Sequence, residues 1–147
     1  MAECAFCEII AGRAPACRVA GSDRSLAFSS LRQPRDIDRG GHVLVVPRRH
    51  VETLDRLDDD SAADLMRLAV RVAGAMRAEF GDSYSLWQSN GEAAFQEVPH
   101  VHLHLITRTR DDGLLRIYPE PPGTPDDADR EQLQRLAERL RGRLGDG

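Results

Sequence analysis

Residues 100 to 106 read His100-Val101-His102-Leu103-His104-Leu105-Ile106, a strict alternation of imidazole and aliphatic side chains. In an extended strand, alternate residues share a face. The three histidines therefore project to one side, and Val101, Leu103 and Leu105 to the other, into a core. At about 3.3 Å of rise per residue, adjacent histidines stand roughly 6.6 Å apart and the outer two about 13 Å apart. Pro99 is expected to open this strand, which runs to about Thr107.

The neighbouring sequence builds outward from that strand. His42 to Val46 (HVLVV) reads as a second buried strand, stopped by Pro47. Shorter strands are expected at Cys17–Ala20, Ser25–Ser29 and Tyr84–Gln88, and a helical turn at Cys7–Ala11. Ser61 followed by Asp64 resembles a capping box. After it, Leu65, Leu68, Val72, Met76 and Phe80 recur at helical spacing until Gly81. Residues 30–41 and 91–97 read as loops, and 111–126 as irregular chain. A last amphipathic helix carries Leu133, Leu136, Leu140 and Leu144 on one stripe. Strands and helices mix without regular alternation, which indicates an α+β fold with an antiparallel sheet. Cys17 and Trp87 read as core residues.

The 147 residues suit a single domain, spanning 1–147 with its core at about 4–110 and a C-terminal irregular segment and helix at 111–147. Twenty basic against twenty-four acidic residues give a net charge of -4, which argues against a nucleic-acid partner. All the basic residues are Arg. Without Lys there is neither Schiff-base chemistry nor a P-loop, and no G-x-G-x-x-G dinucleotide fingerprint occurs. The longest apolar run, Val43 to Val46, is too short to cross a membrane. Glu3 and Glu8 interrupt the N-terminal stretch where a secretory signal needs a basic start and an apolar centre. Three cysteines do not suggest a disulfide framework. A reduced, cytoplasmic protein is expected.

Three chemistries fit a histidine-bearing strand face. It can be a solvated surface, or it can hold a catalytic zinc with one position left for water. The third is nucleophilic catalysis, in which a neutral imidazole attacks phosphorus and splits one displacement into two. Crowded imidazoles resist simultaneous protonation, which favours a neutral central His102. Its neighbours can then stabilise phosphoryl oxygens and move protons. This third reading is preferred.

The pattern His-φ-His-φ-His-φ-φ, with φ apolar, resembles the defining motif of the histidine-triad (HIT) superfamily of nucleotide hydrolases and transferases. The resemblance extends to Phe6-Cys7-Glu8-Ile9-Ile10, Leu26-Ala27-Phe28, Gly41-His42-Val43-Leu44-Val45-Val46-Pro47, His50, Asn90-Gly91 and Gln96-x-Val98. It covers roughly residues 4 to 110. It implies an antiparallel sheet of about five strands that continues across a homodimer. It also implies cleavage at the α-phosphate of nucleoside phosphoramidates or dinucleoside polyphosphates. On that basis His102 is the nucleophile, while His104 and Gln96 contact the phosphate, with His104 or a water assisting the leaving group. His100 completes the triad. Phe6, Ile9, Phe28 and Leu31 line the base and ribose pocket, and Asn90 approaches the phosphate or ribose.

Two positions depart from the family pattern. Ser30 stands where relatives place an Asp for the ribose hydroxyls, and Glu97 where many have a phosphate-contacting Ser or Thr. These departures motivate an alternative, a nucleotide-binding regulatory or partner protein with vestigial hydrolysis. Cys4-x-x-Cys7 has metal spacing, and some HIT relatives bind zinc with this pair, His50 and His100. The resemblance thus implies a structural zinc, and no organic cofactor is expected.

Overall fold

The computed structural model describes residues 4–34, 39–110, 112–114 and 129–144. It groups into two compact units, 1–112 and 113–147. The first unit is built on a five-stranded sheet, with β1 at Arg18–Gly21, β2 at Ser25–Ser29, β3 at His42–Pro47, β4 at Tyr84–Trp87 and β5 at Leu103–Thr107. The spatial order is β1-β2-β3-β5-β4, and every neighbouring pair is antiparallel.

The central β3 is buried along its whole length because both of its faces are covered. On one face lies helix α2 (Asp59–Phe80), whose Leu65, Leu68, Ala69, Val72, Ala73 and Met76 meet Val43, Val45, Leu103 and Leu105. Val101 joins this core, so the alternation read from the triad extends beyond the strand itself. On the other face, helix α1 (Ala5–Ile10) lays Phe6 against Leu26, Phe28, Leu44 and Val46.

Four local expectations are corrected. The α2 cap is Asp58, whose carboxylate accepts from the Ser61 N–H at 2.9 Å, while Asp64 accepts from Ser22 Oγ at 2.6 Å. Asp58 precedes the first helical residue and so satisfies an otherwise unpaired amide. Strand β5 begins at Leu103 rather than Pro99, because the Val101 N–H turns to the Val51 carbonyl (2.7 Å) before the ladder starts. Cys17 is exposed, since it precedes β1 at the sheet edge. Trp87 faces the histidines rather than the core.

Gly40 answers to a close approach. A Cβ there would collide with Thr107 Oγ1, the atom that accepts from the Gly41 N–H at 2.9 Å. This contact ties the loop before β3 to the end of β5 and fixes where His42 enters the sheet.

The second unit contains helix α3 (Arg130–Leu144), whose Leu133, Leu136, Leu140 and Leu144 are all more than half exposed. Most of the irregular segment expected at 111–126 lies outside the described residues. Among the described residues, no helix is long and apolar enough to cross a membrane.

Candidate active site

Two of the three triad histidines are buried and the third, His104, is half-buried. His100 is fully buried and His102 is 4% exposed. Phe6 roofs both rings, with centroids 5.8 Å from His100 and 5.1 Å from His102. His104 lies 4.7 Å from His102, centroid to centroid, and stacks on Trp87 at 4.7 Å with only 6° between the planes.

Backbone carbonyls decide which nitrogen carries each proton, because a carbonyl can only accept. His102 Nδ1 lies 2.6 Å from the His100 carbonyl, so Nδ1 is the donor and the neutral ring keeps its lone pair on Nε2. His42 Nδ1 lies 2.8 Å from the Arg32 carbonyl, so it too donates. The neutral His42 then accepts at Nε2, and the 3.0 Å contact requires His104 Nδ1 to donate to it. This chain leaves the Nε2 atoms of His102 and His104 as lone-pair nitrogens.

Burial, which penalises the charged form, is the main cause that lowers the pKa of His42, His100 and His102. For His104 the pKa falls to about 4, through burial first and then the nearby His102 and His42 rings. For the central His102 the lowering comes from burial alone, against the His100 carbonyl and the Glu97 charge, which both raise it; crowding by neighbouring imidazoles acts instead on His104, His42 and His100.

His100 faces a different set. Its Nε2 donates to the Pro47 carbonyl (2.8 Å), while Nδ1 stands 3.4 Å from Cys4 Sγ and 3.7 Å from Cys7 Sγ. Cys7 Sγ is in turn 3.4 Å from His50 Nδ1. The ligand atoms of Cys4, Cys7, His50 and His100 all lie within 4.8 Å of one another, close enough to hold one metal ion. Among the described residues this is the group at metal-binding distance. His102 and His104 are outside it, which disfavours the triad as a zinc cradle.

The remaining sequence candidates surround the histidines unequally. Phe6 and Phe28 meet edge to face at 5.6 Å, with Ile9 packed against their cluster. Gln96 is braced at both ends: Oε1 accepts from the Gly91 N–H and Nε2 donates to the Glu52 carbonyl, each at 2.7 Å. Asn90 Oδ1 accepts from the Leu54 N–H at 2.8 Å. Ser30 Oγ accepts from the Arg32 N–H at 3.2 Å, whereas Leu31 stands fully in solvent, apart from the Phe6–Phe28 cluster. Glu97 pairs with Arg32 at 2.9 Å.

Sequence reasoning missed His42 and Trp87 as site residues. No local sequence pattern marks them; the strand register does. His42 lies two positions from Leu44, the register partner of His104, and Trp87 is itself opposite His104 on β4.

A sequence profile of the HIT domain matches residues 13–111, and the chain belongs to the HIT family. It is similar to the adenosine 5'-monophosphoramidase of Schizosaccharomyces pombe, 32% identical over 96% of this chain and 98% of that one. Against the adenosine 5'-monophosphoramidase of Saccharomyces cerevisiae the identity is 33%, over 97% of this chain and 84% of that one. A crystal structure of a HIT-family protein from Bacillus subtilis superposes with a TM-score of 0.84 at 32% identity, covering 98% of this chain and 99% of that one.

Depressed imidazole pKa values carry a definite pH signature. Between the native value and the unfolded value near 6.5, the unfolded chain binds more protons, so stability rises with pH across that window. The expected outcome is a denaturation midpoint that falls as pH drops from 6.5 toward 4, with a shallower fall in His104→Asn. A midpoint equally steep in both proteins would remove His104 from the titration.

Proposed function

We propose that the protein is a nucleotide hydrolase. It cleaves at the α-phosphate of nucleoside phosphoramidates or dinucleoside polyphosphates through a nucleotidyl-histidine intermediate on His102. The observation that carries this reading is the buried, neutral His102, with Nδ1–H committed to the His100 carbonyl and the Nε2 lone pair left over. The phosphoramidase names of two relatives support the substrate class.

In the proposed reaction, His102 Nε2 attacks the α-phosphorus and the bond to the leaving group breaks. The new imidazolium strengthens its Nδ1–H bond to the His100 carbonyl, which stabilises the positive charge as it forms. The leaving group takes a solvent proton through a water that donates its other hydrogen to the lone pair of His104 Nε2, with His104 held in place by His42 and Trp87. Gln96 Nε2 has a second hydrogen beyond its bond to Glu52 and gives it to a phosphate oxygen. Phe6, Ile9 and Phe28 bind the base, and Asn90 and Ser30 border the ribose and phosphate. Water then attacks the phosphorus, His102 departs, and a nucleoside monophosphate is released. His100 serves through its carbonyl.

Four further features belong to this reading. The whole chain acts as one HIT domain. It is a homodimer, with β4 continuing the sheet into a second copy. In support, β4 is an edge strand, and Tyr84 and Leu86 on it are exposed beside Met66 and Val70 of α2. The protein works in the cytoplasm, in keeping with its three unpaired cysteines. Cys4, Cys7, His50 and His100 hold a structural zinc. A tetrahedron with Zn–S near 2.3 Å and Zn–N near 2.05 Å has an S···N edge of about 3.5 Å. The sulfur–nitrogen separations of 3.4, 3.4 and 3.7 Å match that edge. The ion would pin α1, and with it Phe6, to the triad segment.

A second reading, a nucleotide-binding regulatory protein with vestigial hydrolysis, draws on Ser30 and on Glu97, whose carboxylate stands where a phosphate donor is usual.

Adenosine phosphoramidate and diadenosine polyphosphate are expected to be turned over by the wild type. His102→Ala should lose at least about a thousandfold in kcat. A mass increment of one nucleotidyl group on rapidly quenched wild type checks the intermediate. Tight nucleotide binding with no turnover of either conjugate would favour the regulatory reading. Protein purified without chelator should carry about one equivalent of zinc, lost in the Cys4→Ser/Cys7→Ser variant. A metal-free wild type would overturn the zinc assignment.

A further inference from the structure

The two loops that border the histidines meet in one ion pair. Arg32 stands on the loop after β2, and Glu97 on the segment leading to His100, with Nη1 and Oε1 2.9 Å apart. The Arg32 backbone is anchored. Its carbonyl accepts from His42 Nδ1, and its N–H donates to Ser30 Oγ. The adjacent Gln33 donates to the carbonyls of Ser30 and His42 and accepts from the His42 N–H. The Arg32 side chain is 82% exposed and the Glu97 side chain 66%, so their contact is weak and exchanges readily. The stem is fixed and the head is not.

Charge bookkeeping gives this head a task. A nucleotide phosphate is anionic, but the chain has no lysine and burial keeps His42, His102 and His104 neutral near pH 7. Other arginines point elsewhere: Arg24 pairs with Asp60, Arg49 with Asp58, Arg77 with Asp82 and Arg108 with Asp112, while Arg48 donates to the Ser22 carbonyl. Among the described residues, Arg32 is the arginine hydrogen-bonded to the histidine cluster. That bond is made by its backbone carbonyl to His42, which holds His104 on the side assigned above to the leaving group, while its guanidinium rests on Glu97.

Resting on the hydrolase reading, we propose that Arg32 is a specificity-determining residue. It leaves Glu97 for a bound conjugate and meets a second anionic group on the leaving side. The site thereby favours phosphoanhydride conjugates over conjugates that release a neutral amine. Glu97 sets the threshold, because a ligand must outcompete its carboxylate to capture the guanidinium. Its own charge, close enough to act on the His102 ring, is neutralised until then.

The test compares kcat/KM for a diadenosine polyphosphate and for adenosine phosphoramidate in wild type, Arg32→Gln, Arg32→Lys and Glu97→Gln. Calorimetric Kd values for ADP and AMP are measured on the same proteins. Arg32→Gln should lower the anhydride-to-amidate ratio about tenfold, the scale of one charge-assisted hydrogen bond. Arg32→Lys should restore most of that ratio, and Glu97→Gln should raise it. Arg32→Gln should also erase a wild-type preference for ADP over AMP. Parallel loss on both conjugates, or an ADP-to-AMP ratio unchanged by Arg32→Gln, would overturn the proposal. If the wild type turns over neither conjugate, the hydrolase reading fails, and the ADP-to-AMP ratio alone decides for or against Arg32.

Discussion

The His100 carbonyl, 2.6 Å from His102 Nδ1, is the constraint on which the site depends. A backbone carbonyl neither titrates nor donates, so it imposes one tautomer at every pH at which the ring is neutral. The Arg32 carbonyl does the same for His42, and through His42 for His104. Two peptide groups thus set three imidazoles. Had a carboxylate been placed there instead, it would favour the charged imidazolium, which has no lone pair to offer.

That arrangement is affordable only because the sheet is covered on both faces. Helix α2 buries the aliphatic side of the triad, while Phe6 on α1 desolvates His100 and His102 from the other side. The same short helix carries Cys7, with Cys4 at its N-cap, so the four-residue metal-distance group and the aromatic roof are parts of one element. A six-residue helix has little intrinsic stability. Its position therefore depends on what holds its ends, and Cys4 and Cys7 meet His100 and His50 there.

Much of this was legible in the sequence. The alternation at 100–106 carries its own register, and Val101, Leu103 and Leu105 all enter the core as that period requires. The helical spacing from Leu65 to Met76 and the Gly81 stop likewise depend on neighbours a few residues apart, and they reappear in α2. What eluded sequence reasoning arises from contacts between distant segments. His42 meets His104 across 62 positions, and only the β3–β5 register brings them together. Trp87 reads as core by composition, yet its place opposite His104 on β4 turns it into a stacking partner for an imidazole. The Arg32–Glu97 pair joins two loops 65 positions apart, for which no local pattern exists. At the helix start, Ser61 looked like the cap because serine is a good one. Asp58, three residues earlier, holds the N-cap position, and Ser61 is its hydrogen-bond donor.

The tautomer assignment can be measured without any substrate. Long-range proton–nitrogen correlation spectra of nitrogen-15-histidine-labelled protein at pH 7, assigned through single His→Gln variants, report the protonation of each ring nitrogen. The expected result is a neutral His102 with the proton on Nδ1 and an unprotonated Nε2, together with a neutral His104 of the same tautomer. A His102 carrying its proton on Nε2, or present as imidazolium, would contradict the assignment of Nε2 as the attacking atom.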